Sequence, residues 1–254
     1  MNKQKLAASI IFIFSIFLMV SCSDEPVDPT LAAQIAANNN STNNGTNGTS
    51  GTSSGDYLPL ALNNVWNYQI YNATTIKDYK INAIESIDGK TYYRLNHAIT
   101  SLDNPLITES DVTVHLRKLN GDYFQRTYVH STATATSPGI TIEPFELIIL
   151  KDYLNVGESF TQTVNTNVTT TFMGTSTTAV QPATYIITMI ARDLTVTVGS
   201  TTYTNVIKTK TTDDSGSYSF DWFAKNIGWI KSVDYDQNNV PTGDGLDLTT
   251  YSLF

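Results

Sequence analysis

Cysteine is almost missing from this chain. Cys22 stands alone among 254 residues, so an intrachain disulfide framework is excluded. Charge is scarce as well, at 15% of residues, and acids outnumber bases 23 to 15 for a net −8. Nucleic-acid binding rests on Lys and Arg neutralising phosphates, and this balance excludes it. The three histidines, His97, His115 and His130, lie far apart with no HExxH or paired-His spacing, so no metal centre is expected. A GxSxG elbow and a Lys-bearing phosphate loop are absent too. What is plentiful is threonine, 38 residues, together with 14 Tyr. Much Thr, Tyr, Val and Ile with few Lys, Glu and Leu is the composition of strands, which excludes a coiled coil or helical bundle.

The N-terminus is an address. Lys3 and Lys5 precede an apolar run from Leu6 to Val20, broken only by Ser9 and Ser15. A bilayer-crossing helix needs about 20 apolar residues, so the run reads as the core of an export signal. It ends in Met19-Val20-Ser21-Cys22, which resembles the lipobox of bacterial lipoproteins, with Met19 in place of the usual Leu. The resemblance implies that residues 1–21 are cleaved and that Cys22 carries the lipid. Two or more acyl chains anchor stably where one does not. Ser23, Asp24 and Glu25, with Asp28 behind them, resemble the sorting signal that sends lipoproteins of Bacteroidota to the outer leaflet of the outer membrane. Surface display is the expectation, and a periplasm-facing anchor the alternative. No cofactor beyond the covalent lipid on Cys22 is expected.

From Cys22 to Gly55 the chain reads as a tether. Residues 38–55 contain only Asn, Ser, Thr and Gly, with nothing apolar to offset chain entropy. Residues 56–254 then read as one β-rich domain. Trp66, Tyr68 and Ile70 alternate with polar residues, as do Val112, Val114 and Leu116, and Tyr218, Phe220 and Trp222. That period of two marks antiparallel strands with one face to a core. Asp88-Gly89 and Asn120-Gly121 suit two-residue hairpin turns with positive φ. Eleven or twelve strands follow, among them 158–172, 183–192 and 194–198. A meander of this length must curl, stack or close. The expected fold is all-β, a strongly curved sheet or incomplete barrel, with a two-sheet β-sandwich as the alternative.

A second likeness lies in Tyr57-Leu58-Pro59-Leu60, Asn64-x-Trp66-x-Tyr68, Val196-Thr197-Val198, Thr202-Tyr203-x-Asn205-Val206-Ile207-Lys208 and Trp222 to Lys231. These resemble a β-rich domain of unassigned activity in secreted and lipid-anchored proteins of Bacteroidota. Each motif is a packing or turn motif, so the likeness implies fold and habitat and no catalytic residue. Gly228 is expected at a bulge, and Trp222 and Trp229 in the core.

Candidates for chemistry are few. Glu143 and Glu146 could be read as a glycosidase pair, but acids three apart are common. Asp234-x-Asp236-x-Asn238 opens like a calcium loop, yet Asn239 and Gly245 stand where Gly and Glu are required; a turn is expected. Three functions remain. The leading one is a non-catalytic envelope domain binding a glycan or protein partner or serving a structural role. The others are a carrier holding an apolar ligand in a curved-sheet cavity and a polymer-degrading enzyme. The membrane is a partner through the anchor.

Overall fold

The computed structural model describes residues 51–71, 76–97 and 106–254. Twelve antiparallel strands follow one another: β1 Val65–Ile70, β2 Ile76–Ile87, β3 Lys90–Leu95, β4 Val112–Leu119, β5 Asp122–Ser131, β6 Gly139–Lys151, β7 Ser159–Phe172, β8 Thr175–Val198, β9 Thr201–Asp213, β10 Tyr218–Ala224, β11 Gly228–Tyr235 and β12 Pro241–Ser252. Each pairs with its sequence neighbour, and β1 pairs with β12, so a single sheet closes into a barrel. Closure removes the free edges that a long meander would expose. The two-sheet alternative does not hold. A 3₁₀ turn, Glu109–Asp111, precedes β4.

The turn chemistry explains the hairpins. Asp88 and Gly89 have φ of 52° and 74°, and Asn120 and Gly121 have 49° and 87°, as the primed turns require. Met173 and Gly174 do the same between β7 and β8, although Met is no turn former. β8 is one strand of 24 residues where the sequence suggests two. Asp193, at φ 54°, marks a bulge, with register shifts around Ala191 and Leu194 and no break in the strand.

Threonine now has a place. Exposed Ser159, Thr161, Thr163, Asn165 and Asn167 alternate with half-buried Phe160, Gln162, Val164, Thr166 and Val168 along β7. Across to β8, Ser159 meets Thr188 at 2.8 Å, Thr163 meets Thr184 at 3.0 Å and Thr169 meets Thr178 at 2.7 Å. Such hydroxyl pairs stabilise a strand pair. They also face water, unlike the apolar outer band of a barrel that crosses a membrane.

One end of the barrel is filled. Tyr57, Leu58, Trp66, Tyr68, Tyr79, Ile81, Tyr203, Val206 and Ile230 pack there with the inward residues of neighbouring strands. The polar atoms of Trp66 and Tyr68 are paired as burial demands. Trp66 Nε1 donates to Ile227 O at 2.6 Å, and Tyr68 OH donates to Trp229 O at 2.7 Å. Gly228, expected at a bulge, pairs in register with Ala224 while the β10–β11 shift lies between Trp222 and Phe223; at φ +116° it is a close-approach position, where a Cβ would come within 3.0 Å of Trp66 Nε1. Asn64 is fully buried and ties the segment before β1 to the segment after β12: its Nδ2 donates to Pro59 O at 2.9 Å, and its Oδ1 accepts from Phe254 N at 2.8 Å.

The N-terminal segment lies across that end. Tyr123 OH accepts from Tyr57 N at 2.9 Å and bonds Gly55 O and Asp152 Oδ2 at 3.0 Å each. Asp152 also accepts from Ser53 Oγ at 2.7 Å and Ser54 N at 2.9 Å. Arg192 donates to Asp152 O, Leu154 O and Ser54 Oγ. Ser53 to Gly55, which the sequence assigns to the tether, are thus bound to the barrel. Every strand of the closed sheet and all of this core lie within residues 51–254. That stretch forms a compact unit of its own.

Candidate functional site

Next to this core, and sharing Leu58 and Tyr79 with it, the barrel is hollow. Inward residues there leave a cavity of about 370 Å³, within the range of small-molecule sites. Its walls are mostly apolar: Leu58, Tyr79, Leu116, Ile187, Phe223 and Leu246 are buried, and Ile148, Ile149 and Trp229 are half-buried. Phe223 and Trp229 stack at 6.1 Å with their rings 16° from parallel. Lys77, Gln125, Gln162, Thr211, Ser219, Asp221, Ser232 and Asp234 add polar atoms. Gln162 is spent on its neighbour strand, its amide bonding Ile148 N and O at 2.9 and 2.7 Å.

Asp221 is the polar centre. It lies on β10 opposite Thr209 of β9 and Ser232 of β11, and is 8% exposed. Ser232 Oγ donates to one carboxylate oxygen at 2.8 Å and Ser219 Oγ to the other at 2.9 Å. Burial pushes its pKa up from 3.8 to about 6, against the pull of Ser232, Ser219 and the nearby Trp229. Trp229 Nε1 is buried yet closes no hydrogen bond of ordinary geometry, and Thr209 Oγ1, also buried, has no partner.

The strand period is right and its sign is reversed here. Sequence alternation puts Phe220 and Trp222 in the core, but Ser219, Asp221 and Phe223 point inward. Tyr218, Phe220 and Trp222 form a half-buried row on the outer face with Tyr235. Lys208 Nζ lies 3.9 Å over the Phe220 ring and 4.6 Å over Trp222, and Lys210 Nζ lies 3.9 Å over Tyr218. Trp229 lines the cavity and is not fully enclosed by core.

The other candidates separate. Glu143 is exposed. Glu146 accepts from Arg117 Nε at 2.8 Å and Nη2 at 2.5 Å and from Tyr92 OH. Burial would raise the Glu146 carboxyl, but Arg117, Tyr92 and Lys90 together hold it below the usual range. Its oxygens are engaged in an ion-pair network, an unsuitable start for an acid catalyst. His115 is not solvated: it is 4% exposed, with Nε2 2.9 Å from Glu85 Oε2. His130 Nδ1 meets Thr141 Oγ1 at 3.0 Å, and His97 lies 3.6 Å from Glu109. No group of three metal-ligating side chains occurs among the described residues. Asp236 Oδ1 accepts from Asn238 N at 2.9 Å and Val240 N at 2.8 Å, so it serves the β11–β12 turn. Cys22, Ser23, Asp24 and Glu25 lie outside the described residues.

No family model and no curated protein matches the chain. A solved structure of a candidate lipoprotein from Parabacteroides distasonis is similar at 11% identity and a TM-score of 0.39, covering 78% of this chain and 99% of that one. Likeness at that level leaves fold and function to be argued from this chain's own residues.

Proposed function

We propose that this is a lipid-anchored envelope protein whose barrel is a non-catalytic binding domain for a small amphipathic molecule. The observation that carries it is the cavity of about 370 Å³ with mostly apolar walls. A lumen that is filled at one end and hollow at the other is what a carrier or receptor needs. Cys22 is the anchor in this reading, Ser23, Asp24 and Glu25 direct it to the outer leaflet of the outer membrane, and the tether holds the barrel off the bilayer.

The neutral dye N-phenyl-1-naphthylamine tests the cavity. Residues 51–254 bind it saturably, and Thr211→Trp, which fills the lumen, abolishes binding while the fold persists by circular dichroism. Absent binding, or binding untouched by Thr211→Trp, defeats the reading. In cells, Cys22→Ala removes fatty-acid labelling; labelling that survives defeats the anchor assignment.

A glycan-binding envelope surface is the second reading, favoured by the outer aromatic row from Tyr218 to Trp222. It is the weaker one, because Lys208 and Lys210 already lie over those rings.

A further inference from the structure

Asp221 poses a problem that the barrel itself does not solve. A carboxylate taken out of water needs a counter-charge or a full set of hydrogen bonds. The two serine hydroxyls and the nearby Trp229 indole use part of its acceptor capacity, since an ionised carboxylate offers about four lone-pair sites, and all three donors are neutral. Among the described residues, no ion pair includes Asp221. Its neighbours in register, Thr209 and Ser232, are neutral. The lysines of the flanking strand β9 are turned outward onto the aromatic row, and Lys231 of β11 is held by Asp247 and Tyr71.

We propose that the missing counter-charge comes from the ligand: Asp221 is the anchoring residue for the cationic amine head of an amphipathic molecule whose apolar body occupies the lumen. This rests on the cavity reading above and narrows it to a ligand class. Three further observations fit a cation. The stacked Phe223 and Trp229 rings wall the same cavity, and aromatic faces attract ammonium groups. Lys77, the one cation among the lining residues, is already paired with Glu109, which leaves an anionic head group without a partner there. Asp234 adds a second acid to the lining. Thr209 Oγ1, 1% exposed, is a buried hydroxyl without a partner beside the carboxylate, and it can accept from an ammonium group.

Competition against N-phenyl-1-naphthylamine at neutral pH decides it, with n-decylamine, n-decanol and decanoate as probes of one chain length. On residues 51–254 the amine displaces the dye at roughly tenfold lower concentration than the alcohol, the step expected when a neutral hydrogen bond becomes a charge-assisted one. Decanoate is the weakest competitor. In Asp221→Asn the amine loses its roughly tenfold advantage over decanol, with both competitors referred to the dye affinity measured on that same variant. Should that variant fail to fold, Asp221→Ser serves, and the ranking on the unsubstituted chain tests the charge without any variant. Dye binding with amine and alcohol equal, or an amine preference that survives loss of the carboxylate, overturns the head-group assignment and leaves the cavity reading standing. Absence of dye binding altogether takes down both.

Discussion

The two halves of this barrel are made from the same strands and do opposite things. Toward the N-terminal segment, aromatic and aliphatic side chains fill the lumen, and each buried polar atom of Trp66, Tyr68, Tyr123 and Asn64 meets a partner. Beyond Phe223 and Trp229 the same sheet encloses space, and a carboxylate stands in it without a counter-charge. A twelve-stranded barrel is too wide for its own side chains to fill unless they are large and aimed well. In one region Trp66, Tyr68 and Tyr203 fill the lumen, and beside it Gln125, Thr211 and Ser219 stand among apolar walls that do not meet. The contrast separates residues that make the fold from residues available for function.

The strongest way to break the contrast is to attack the filled half. Trp66 is 3% exposed, packed in the core and bonded to Ile227. Truncating it leaves a cavity and an orphaned carbonyl, so Trp66→Ala costs about 3–5 kcal/mol, a large share of the roughly 5–15 kcal/mol that holds a domain. Chemical denaturation of residues 51–254 measures this. A cost near zero would mean that the filled half is no more a core than the hollow one.

The hollow half responds in the opposite direction. Burial raises Asp221 from 3.8 to about 6, so the folded state binds a proton that the unfolded state has released across that window. The favourable protonated form is complete below about pH 4, and its contribution is lost as pH rises toward 6. Two units correspond to a penalty on the order of 3 kcal/mol at neutral pH. Asp221→Asn therefore stabilises the apo barrel at pH 7.5 by up to about that amount and gives no gain at pH 4. Urea midpoints at both pH values check it. A variant destabilised at pH 7.5 would show that the carboxylate belongs to the structure and is not held ready for a ligand.

The sequence reveals the skeleton of this arrangement better than its sides. Asp88-Gly89 and Asn120-Gly121 are hairpin turns because few other residues accept positive φ there. Met173-Gly174 adopts the same backbone with a residue that gives no such signal, so the start of β8 is hidden. Period-two alternation identifies β10 but not which side of it is wet, since shifting the choice by one residue exchanges the faces. Lys208 laid over Phe220 and Trp222 shelters the outer face enough for aromatics, and that is why the larger side chains mislead. Asp152 and Ser53 are 99 residues apart, and the cavity is defined by what its walls fail to fill. Neither is a local property of the chain.

The smallest expected effect concerns that outer face, where Lys208 Nζ lies 3.9 Å over Phe220 and 4.6 Å over Trp222. Burial lowers the Lys208 pKa, yet the side chain remains partly in water, and cation–π contacts at such sites contribute about 0.5–1 kcal/mol. Lys208→Met keeps most of the aliphatic stem over the rings and removes only the charge. It should therefore cost no more than about 1 kcal/mol, with dye binding in the lumen unchanged. Denaturation midpoints and a dye titration on the same variant give both readouts. A loss approaching that of Trp66→Ala would make the aromatic row a second core, and a loss of dye binding without a loss of stability would move the ligand from the lumen to the outer face. Either result would shift the line between structure and function away from the two ends of the barrel and onto its two surfaces.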